Sequence, residues 1–137
     1  MNRYLLDTNV ISEVRLRRPH GALLAWLEHQ DEEQLSLSAV TIGEVQAGVE
    51  RTRRQDQAKA TEIESWIEQL IASYRVLPMD AVCLREWGRL MHRKPGDLME
   101  DAMIAATARV HGLIVATRNE RDFAQFDVRI VNPFKNQ

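Results

Sequence analysis

The chain has 137 residues, of which 45% are hydrophobic, and its net charge of −2 at pH 7 comes from 18 Lys and Arg against 20 Asp and Glu. This length and composition predict one globular domain over residues 1–137, and the near-balance of charge argues against a general polyanion binder while leaving local patches open. The lone Cys83 excludes a disulfide framework, and there is neither a signal-peptide pattern nor an apolar run long enough to cross a bilayer, so we expect a cytoplasmic protein without membrane contact.

Strands and helices alternate along the predicted chain. Short apolar or alternating runs predict strands at residues 4–6, 35–37, 75–77, 113–116 and 129–131. Apolar residues at helical spacing predict helices at about 9–16, from Pro19, from Ser38 to the arginines at 51–54, at 55–74, after Asp80 and at 98–110. Residues 117–123 are predicted as a turn. This alternation predicts an α/β fold with a mostly parallel sheet covered on both faces.

Four acidic residues flank the predicted strands. In a parallel sheet the positions just after each strand converge on one edge, where ligands bind in open α/β folds. The four residues are Asp7, Glu44, Asp101 and Asp122. Capping remains an alternative for most of them, because Asp7 precedes a helix, and Glu44 and Asp122 stand at capping-box distance from Thr41 and Asn119.

The neighbours of two of these acids favour a site over capping. Gly48 lies one helical turn after Glu44, which predicts a bare surface beside that carboxylate. Asp101 lies on an otherwise apolar helix, where a carboxylate is costly without a partner. Glu100 stands at capping-box distance from Asp97, so we assign Glu100 to the cap and expect only Asp101 to face the strand ends.

Four convergent carboxylates need a neutralising partner. Two such charges 4 Å apart repel by about 4 kcal/mol at an effective dielectric of about 20. Oxygen ligands without Cys or paired His favour Mg²⁺ or Mn²⁺ over zinc. The acidic set therefore predicts a divalent metal site, provided that the four side chains do converge.

Four stretches in this order resemble the PIN domains of the VapC toxin family. They are LLDTNVIS at residues 5–12, SAVTIGEVQAG at 38–48, DAMIAATA at 101–108 and TRNERDF at 117–123. The resemblance spans nearly the whole chain and implies a three-layer α/β/α fold with a five-stranded, mostly parallel sheet. It also implies Mg²⁺- or Mn²⁺-dependent endoribonuclease activity, with tRNA as one candidate substrate, together with dimerisation and inhibition by a cognate antitoxin.

The resemblance also assigns roles at the site. It implies that Asp7 and Asp101 are the principal metal ligands and that Glu44 and Asp122 complete an acidic quartet that carries catalysis. It further implies three supporting polar residues, which are Asn9, Thr117 and Asn119.

Arginines near these motifs are candidate RNA contacts. They are Arg15 and Arg118, together with the clusters at residues 15–18 and 51–54. Solvated helix ends that interact with the helix dipole are an equally good explanation for each arginine taken alone.

Two other functions compete with RNA hydrolysis. The first is a catalytically idle interaction module whose acidic groove receives a partner's Arg or Lys. The second is an Mg²⁺-dependent phosphatase on a similar sheet, which is disfavoured because Asn9, and not a second Asp, stands two residues after Asp7. RNA cleavage by the purified, partner-free protein separates the nuclease from the idle module.

Overall fold

A five-stranded parallel sheet forms the centre of the structure, a computed structural model that describes residues 1–135. The strands lie in the order β3-β2-β1-β4-β5, so the first strand is the central one. In register, Leu5 pairs with Ser36 on one side and with Val115 on the other. The strands are β1 (Tyr4–Leu6), β2 (Leu35–Ser38), β3 (Arg75–Leu77), β4 (Ile114–Ala116) and β5 (Ile130–Val131).

Seven α-helices within residues 1–135 connect and cover these strands. They are α1 (Thr8–Val14), α2 (Gly21–Glu28), α3 (Ala39–Arg53), α4 (Gln57–Ser73), α5 (Ala81–Met91), α6 (Met99–His111) and α7 (Glu120–Phe123). Single 3-10 turns lie at Glu32–Gln34 and Gly96–Leu98. The turn prediction for residues 117–123 is wrong in its second half, which forms α7. The side chain of Phe123 is fully buried in the core, and a helical turn is what directs it there.

The sheet has a hydrophobic core on each face, which confirms the predicted three-layer α/β/α arrangement. Because side chains alternate along a strand, Tyr4 and Leu6 of β1 pack on one face and Leu5 packs on the other. The Leu5 face is covered mainly by α6, whose alanines at 102, 105 and 108 allow close packing. Cys83 of α5 is buried as a free thiol, as expected.

A third, smaller apolar cluster joins α3 to α4. It consists of Val49, Ala60, Ile63 and Ile67, with Ile42, Val45 and Trp66 partly buried against it. The α3–α4 pair is also tied at its surface, where Arg53 of α3 contacts Glu64 of α4 at 2.6 Å. These two helices therefore pack against each other as one unit.

Side-chain caps at the predicted residues, or one position from them, begin α3, α4 and α5. Ser38 accepts a hydrogen bond from the Val40 amide at the start of α3, and Asp80 accepts one from the Cys83 amide at the start of α5. Asp56 caps α4, close to the predicted start at residue 55. Within residues 1–135, no helix is both long and apolar enough to cross a membrane.

Two glycines provide a test of the backbone. Gly112 ends α6 in the left-handed region at φ 68°, where an added side chain is strained, whereas Gly88 is an exposed residue inside α5 with open space around it. We expect Gly112→Ala to lower the free energy of unfolding by about 1 to 2 kcal/mol. Gly88→Ala should raise it by about 0.5 to 1 kcal/mol, and urea unfolding of both variants measures the difference. Shifts of the same sign in the two variants would contradict the helix end assigned to Gly112.

Candidate functional site

The carboxyl ends of β1 and β4 form the edge where the site lies. The chain runs outward from β1 to β2 and β3 and then returns to β4 on the opposite side, so the connections diverge between β1 and β4. A crevice opens at such a point in an open parallel sheet. Asp7 follows β1 and Thr117 follows β4, and the Asp7 amide donates to the Ala116 carbonyl at 2.9 Å.

Asp7 is a buried carboxylate held by three donors. Its Oδ2 accepts from Thr117 Oγ1 at 2.7 Å and from Asn9 Nδ2 at 3.0 Å, and its Oδ1 accepts from the Thr8 amide at 2.8 Å. Only 4% of the residue is exposed. Asp7 is also the N-cap of α1, so the capping role and the site position, which the sequence presents as alternatives, coexist in one side chain.

Glu44 approaches Asp7 from α3. Thr8 Oγ1 donates to Glu44 Oε1 at 2.8 Å and also lies 2.9 Å from the hydroxyl of the buried Thr41. The predicted capping box of Thr41 with Glu44 is wrong, because α3 begins at the Ser38 cap and both residues lie inside the helix. Sequence reasoning gave the two threonines no role at the site. Thr41 precedes Glu44 by three residues in a predicted helix, so the sequence pattern places both side chains on one helix face.

Asn119 joins the other two acids of the predicted quartet. Its Nδ2 donates to Asp122 Oδ2 at 3.0 Å and lies 3.3 Å from Asp101 Oδ2. The Asn119 side chain makes no cap hydrogen bond to α7, so the loose capping-box prediction for Asn119 with Asp122 is wrong. The Asn119 amide also donates to Thr117 Oγ1 at 2.9 Å. The predicted supporting residues therefore connect Asp7 to Asp101 and Asp122.

Glu100 belongs to the acidic cluster, contrary to its assignment as a cap. Helix α6 begins after Leu98 without a side-chain cap, so the predicted box of Asp97 with Glu100 does not form. The Glu100 carboxyl is instead close enough to hydrogen-bond with Glu44, while its neighbour Asp101 faces Asn119. The expectation that only one of the adjacent acids faces the strand ends is wrong, because the long Glu100 side chain reaches Glu44 from a more exposed position.

Burial and mutual repulsion raise the pKa values of these carboxyls. Burial, followed by the neighbouring Glu100 and Asp7, raises the pKa of Glu44 to about 7. Burial, followed by the charges of Asp7 and Asp122, raises the pKa of Asp101 to about 6. The pKa of Asp7 is also raised, because burial outweighs its three hydrogen bonds. Without a cation, the cluster therefore holds protons at pH values where ordinary carboxyls are ionised.

The donor chemistry of the cluster fits a hard divalent cation. The side chains offer carboxylate, amide and hydroxyl oxygens, which suit Mg²⁺ or Mn²⁺. None of the four quartet acids forms an ion pair with Lys or Arg in the part of the chain that the structure describes. Within residues 1–135, no three His, Cys, Asp or Glu side chains stand close enough to hold an ion as they are placed. Binding would thus require the carboxylates to move together as the ion replaces their protons.

The candidate arginines are not equivalent. Arg118 follows β4, and its guanidinium stacks 3.7 Å from the centre of the Phe134 ring, while its amide donates to Asn9 Oδ1 at 3.2 Å. Arg15 lies over the ring of Trp66 at 5.7 Å, beside the cluster. Arg53 is paired with two glutamates, which leaves it less available to RNA than the other two.

Comparison with known proteins gives the chain a family and named relatives. The family model described as PIN domain matches residues 4–129. VapC ribonuclease Y4jK from Sinorhizobium fredii is 37% identical over 142 residues, which cover 96% of this chain and 97% of the relative. Toxin FitB from Neisseria gonorrhoeae is 35% identical over 136 residues, covering 95% of this chain and 97% of the relative.

Solved structures agree with the sequence comparison. The crystal structure of FitAcB from Neisseria gonorrhoeae superposes with a TM-score of 0.83 at 33% identity, covering 96% of this chain and 98% of that chain. A toxin-antitoxin complex from Klebsiella pneumoniae gives a TM-score of 0.73 at 26% identity, covering 95% and 97%. The five-stranded parallel sheet, the acids at its edge and these matches lead to one conclusion, that the chain belongs to the PIN domain family.

Proposed function

We propose that this protein is a Mg²⁺- or Mn²⁺-dependent endoribonuclease toxin of a VapBC-type toxin–antitoxin system, acting on RNA in the cytoplasm. The observation that carries the proposal is the cluster of Asp7, Glu44, Asp101 and Asp122 at the edge of the sheet, which no Lys or Arg of residues 1–135 pairs with. Relatives of this chain named as a ribonuclease and as a toxin support the activity and its biological role. Transfer RNA as the substrate stays a prediction.

In this proposal the acidic side chains of the site hold the metal ion, and the polar side chains position the acids. Thr117 and Asn9 fix one oxygen of Asp7 and the Thr8 amide fixes the other, so the carboxylate is held in one orientation. Asn119 sets the spacing of Asp101 and Asp122. The four acids of the quartet would hold the divalent cation, which lowers the pKa of bound water and offsets charge on the phosphate oxygens. Asp7, the most buried of the four, would be its least mobile ligand.

The proposal includes two protein partners. A cognate antitoxin would neutralise the activity, in line with the toxin-antitoxin complex among the structural neighbours. A homodimer is the expected state of the toxin itself. Light scattering of the purified chain, alone and with the antitoxin encoded beside it, measures both.

The competing proposal is an idle module whose acidic groove binds a partner's basic side chains. The raised pKa values of Glu44 and Asp101 are consistent with a groove that binds positive charge, either a metal ion or an Arg side chain. The ordered hydrogen bonds between Asp7, Thr117 and Asn119 favour the nuclease, since a simple charge trap does not need such fixed geometry.

We expect the purified protein to cleave RNA only when Mg²⁺ or Mn²⁺ is present. The cluster repels an approaching phosphate until a cation neutralises it. A chelator should stop cleavage, and excess Mg²⁺ should restore it. Asp7→Asn, which is nearly isosteric, should abolish cleavage while the circular dichroism spectrum stays that of the parent. Cleavage that survives chelation and dialysis would refute the metal site.

The adjacent acids on α6 should respond differently to amide substitution. Asp101→Asn should remove cleavage, together with the stabilisation that Mg²⁺ gives to the folded state by mass action. Glu100→Gln should lower kcat/KM by about 10-fold, the lower range for removing a group that supports a metal ligand. Thermal unfolding with and without Mg²⁺ and initial cleavage rates measure both variants. If Glu100→Gln is inactive and Asp101→Asn still cuts RNA, the two roles must be exchanged.

The raised pKa of Glu44 makes stability depend on pH in a defined direction. The folded protein keeps a proton on Glu44 up to about pH 7, whereas the unfolded chain releases it near 4.5. The stabilisation that comes from this proton is therefore complete below pH 4.5 and is lost as the pH rises through about 7. In chelator, the free energy of unfolding of Glu44→Gln relative to the parent should rise over this range. A difference that is constant with pH in urea unfolding would show that Glu44 titrates normally.

A further inference from the structure

A pocket of about 370 Å³ opens directly beside the acidic cluster. Residues of α1, α3 and α4 line it, and we call it the α1/α3/α4 pocket. Thr8 and Glu44 belong both to this pocket and to the candidate active site. Whatever occupies the pocket therefore lies next to the carboxylates that face the scissile phosphate in the proposed function.

An aromatic ring and two arginines give this pocket its chemistry. Trp66 of α4 lines one wall, with the Arg15 guanidinium 5.7 Å from its ring centre. Arg51 of α3 lies over Gly48, where an added Cβ would be only 3.6 Å from the guanidinium. The sequence predicts a bare surface at Gly48, and this prediction is wrong because the Arg51 guanidinium covers it. Both arginines are exposed, and neither forms an ion pair within the chain from residue 1 to 135.

The size and the lining of the pocket restrict what can enter. Its volume is near the lower end of the range of about 300 to 1,000 Å³ for small-molecule sites. A helix with its side chains is about 10 to 12 Å across and needs a long apolar groove, so a compact hollow edged by arginines suits it poorly. One flat group carrying a negative charge fits this shape and this charge.

We propose that the α1/α3/α4 pocket binds one nucleobase of single-stranded RNA, next to the phosphate that is cleaved. The base stacks against Trp66 beside Arg15, and Arg51 pairs with the phosphate of the same nucleotide. This proposal rests on the proposed function and adds to it a subsite that selects unpaired RNA.

The physical chemistry of RNA recognition supports this occupant. Proteins bind unpaired RNA by stacking its bases on aromatic rings and guanidinium planes, while basic residues follow the phosphates. The hydroxyls of Ser12 and Thr52 also line the pocket and can hydrogen-bond to base edges. A base inside a duplex cannot enter a hollow of this kind, because its faces are covered by its neighbours. The pocket therefore predicts cleavage in loops or single strands.

The test compares intact RNA with RNA that lacks one base at a time. The probe is a single-stranded RNA of about 12 nucleotides, within the range of about 4 to 16 for single-strand sites, that contains a mapped cut. Abasic ribose replaces each nucleotide in turn. For the parent, the abasic substitution at one position beside the cut should raise KM by about 5- to 150-fold. This range corresponds to the contribution of stacking one base on an aromatic ring.

Two variants of the pocket should remove this penalty. Arg15→Gln and Trp66→Leu should each bind and cut intact RNA less well than the parent does. In both variants, removal of the base at the sensitive position should raise KM only slightly. Arg15 is exposed, so Arg15→Gln keeps the test decisive even if loss of the half-buried Trp66 ring prevents folding. Arg54→Gln is the matched control, because Arg54 is an exposed arginine that does not line the pocket. It should leave the abasic penalty unchanged.

Binding measurements distinguish failure of this proposal from failure of the proposed function. The affinity of Asp7→Asn for intact and abasic RNA measures the subsite without cleavage, so this result does not depend on whether Asp7 and a metal ion are needed for the cut. Arg51→Gln should also flatten the dependence of log Kd on log salt by about 0.7, the value for one phosphate contact on a single strand. Equal affinity for intact RNA and all abasic RNAs, or a full penalty retained by Arg15→Gln, would overturn the proposal. Pocket variants that keep the penalty but escape inhibition by the antitoxin would show a protein segment in the pocket, which also overturns it.

Discussion

The buried carboxylate of Asp7 is the constraint around which the rest of this molecule is arranged. A side chain of this kind, 4% exposed, is costly unless its oxygens find donors, and the donors here come from the first turn of α1 and from the residue that follows β4. Thr117 becomes a neighbour of Asp7 only because the sheet order inserts β4 beside β1. Topology thus supplies the hydrogen bonds that make the acid tolerable at that position.

The acidic cluster lowers the stability of the folded protein at the place where we propose that the reaction occurs. Burial and the neighbouring acids raise the pKa values of Glu44 and Asp101, and no Lys or Arg among the residues described forms an ion pair with the quartet. Perturbed carboxyls of this kind concentrate at functional sites, because selection retains a local cost where it supports activity. The large apolar layers on both faces of the sheet stabilise the scaffold that bears this cost. The well-paired surface acids, such as Glu86 with Arg109, show the opposite arrangement.

The sequence alone predicts most of the scaffold and part of the site. The strands at 4–6 and 75–77 are short apolar runs between polar residues, and α4 carries a nearly continuous apolar stripe, so local pattern is sufficient for them. The convergence of Asp7 and Asp101 follows from parallel topology, which an alternating pattern indicates. Three features depended on tertiary contacts. Glu100 lies beside Glu44 of α3 although it stands in a matching capping pattern. The short helix α7 places Phe123 in the core, and Thr8 gains its role from an α3 side chain far along the chain.

The order of the strands has a consequence for the moment at which this protein can act. Synthesis delivers the N-terminal part first, and Asp7 and Glu44 emerge long before Asp101 and Asp122. Until β4 is made, β1 lacks a neighbour on one side and Asp7 lacks Thr117. A ribosome-bound chain that ends before residue 101 therefore carries only half of the proposed quartet. The proposed activity therefore requires nearly the whole chain, and an antitoxin would need to meet only chains that are nearly finished.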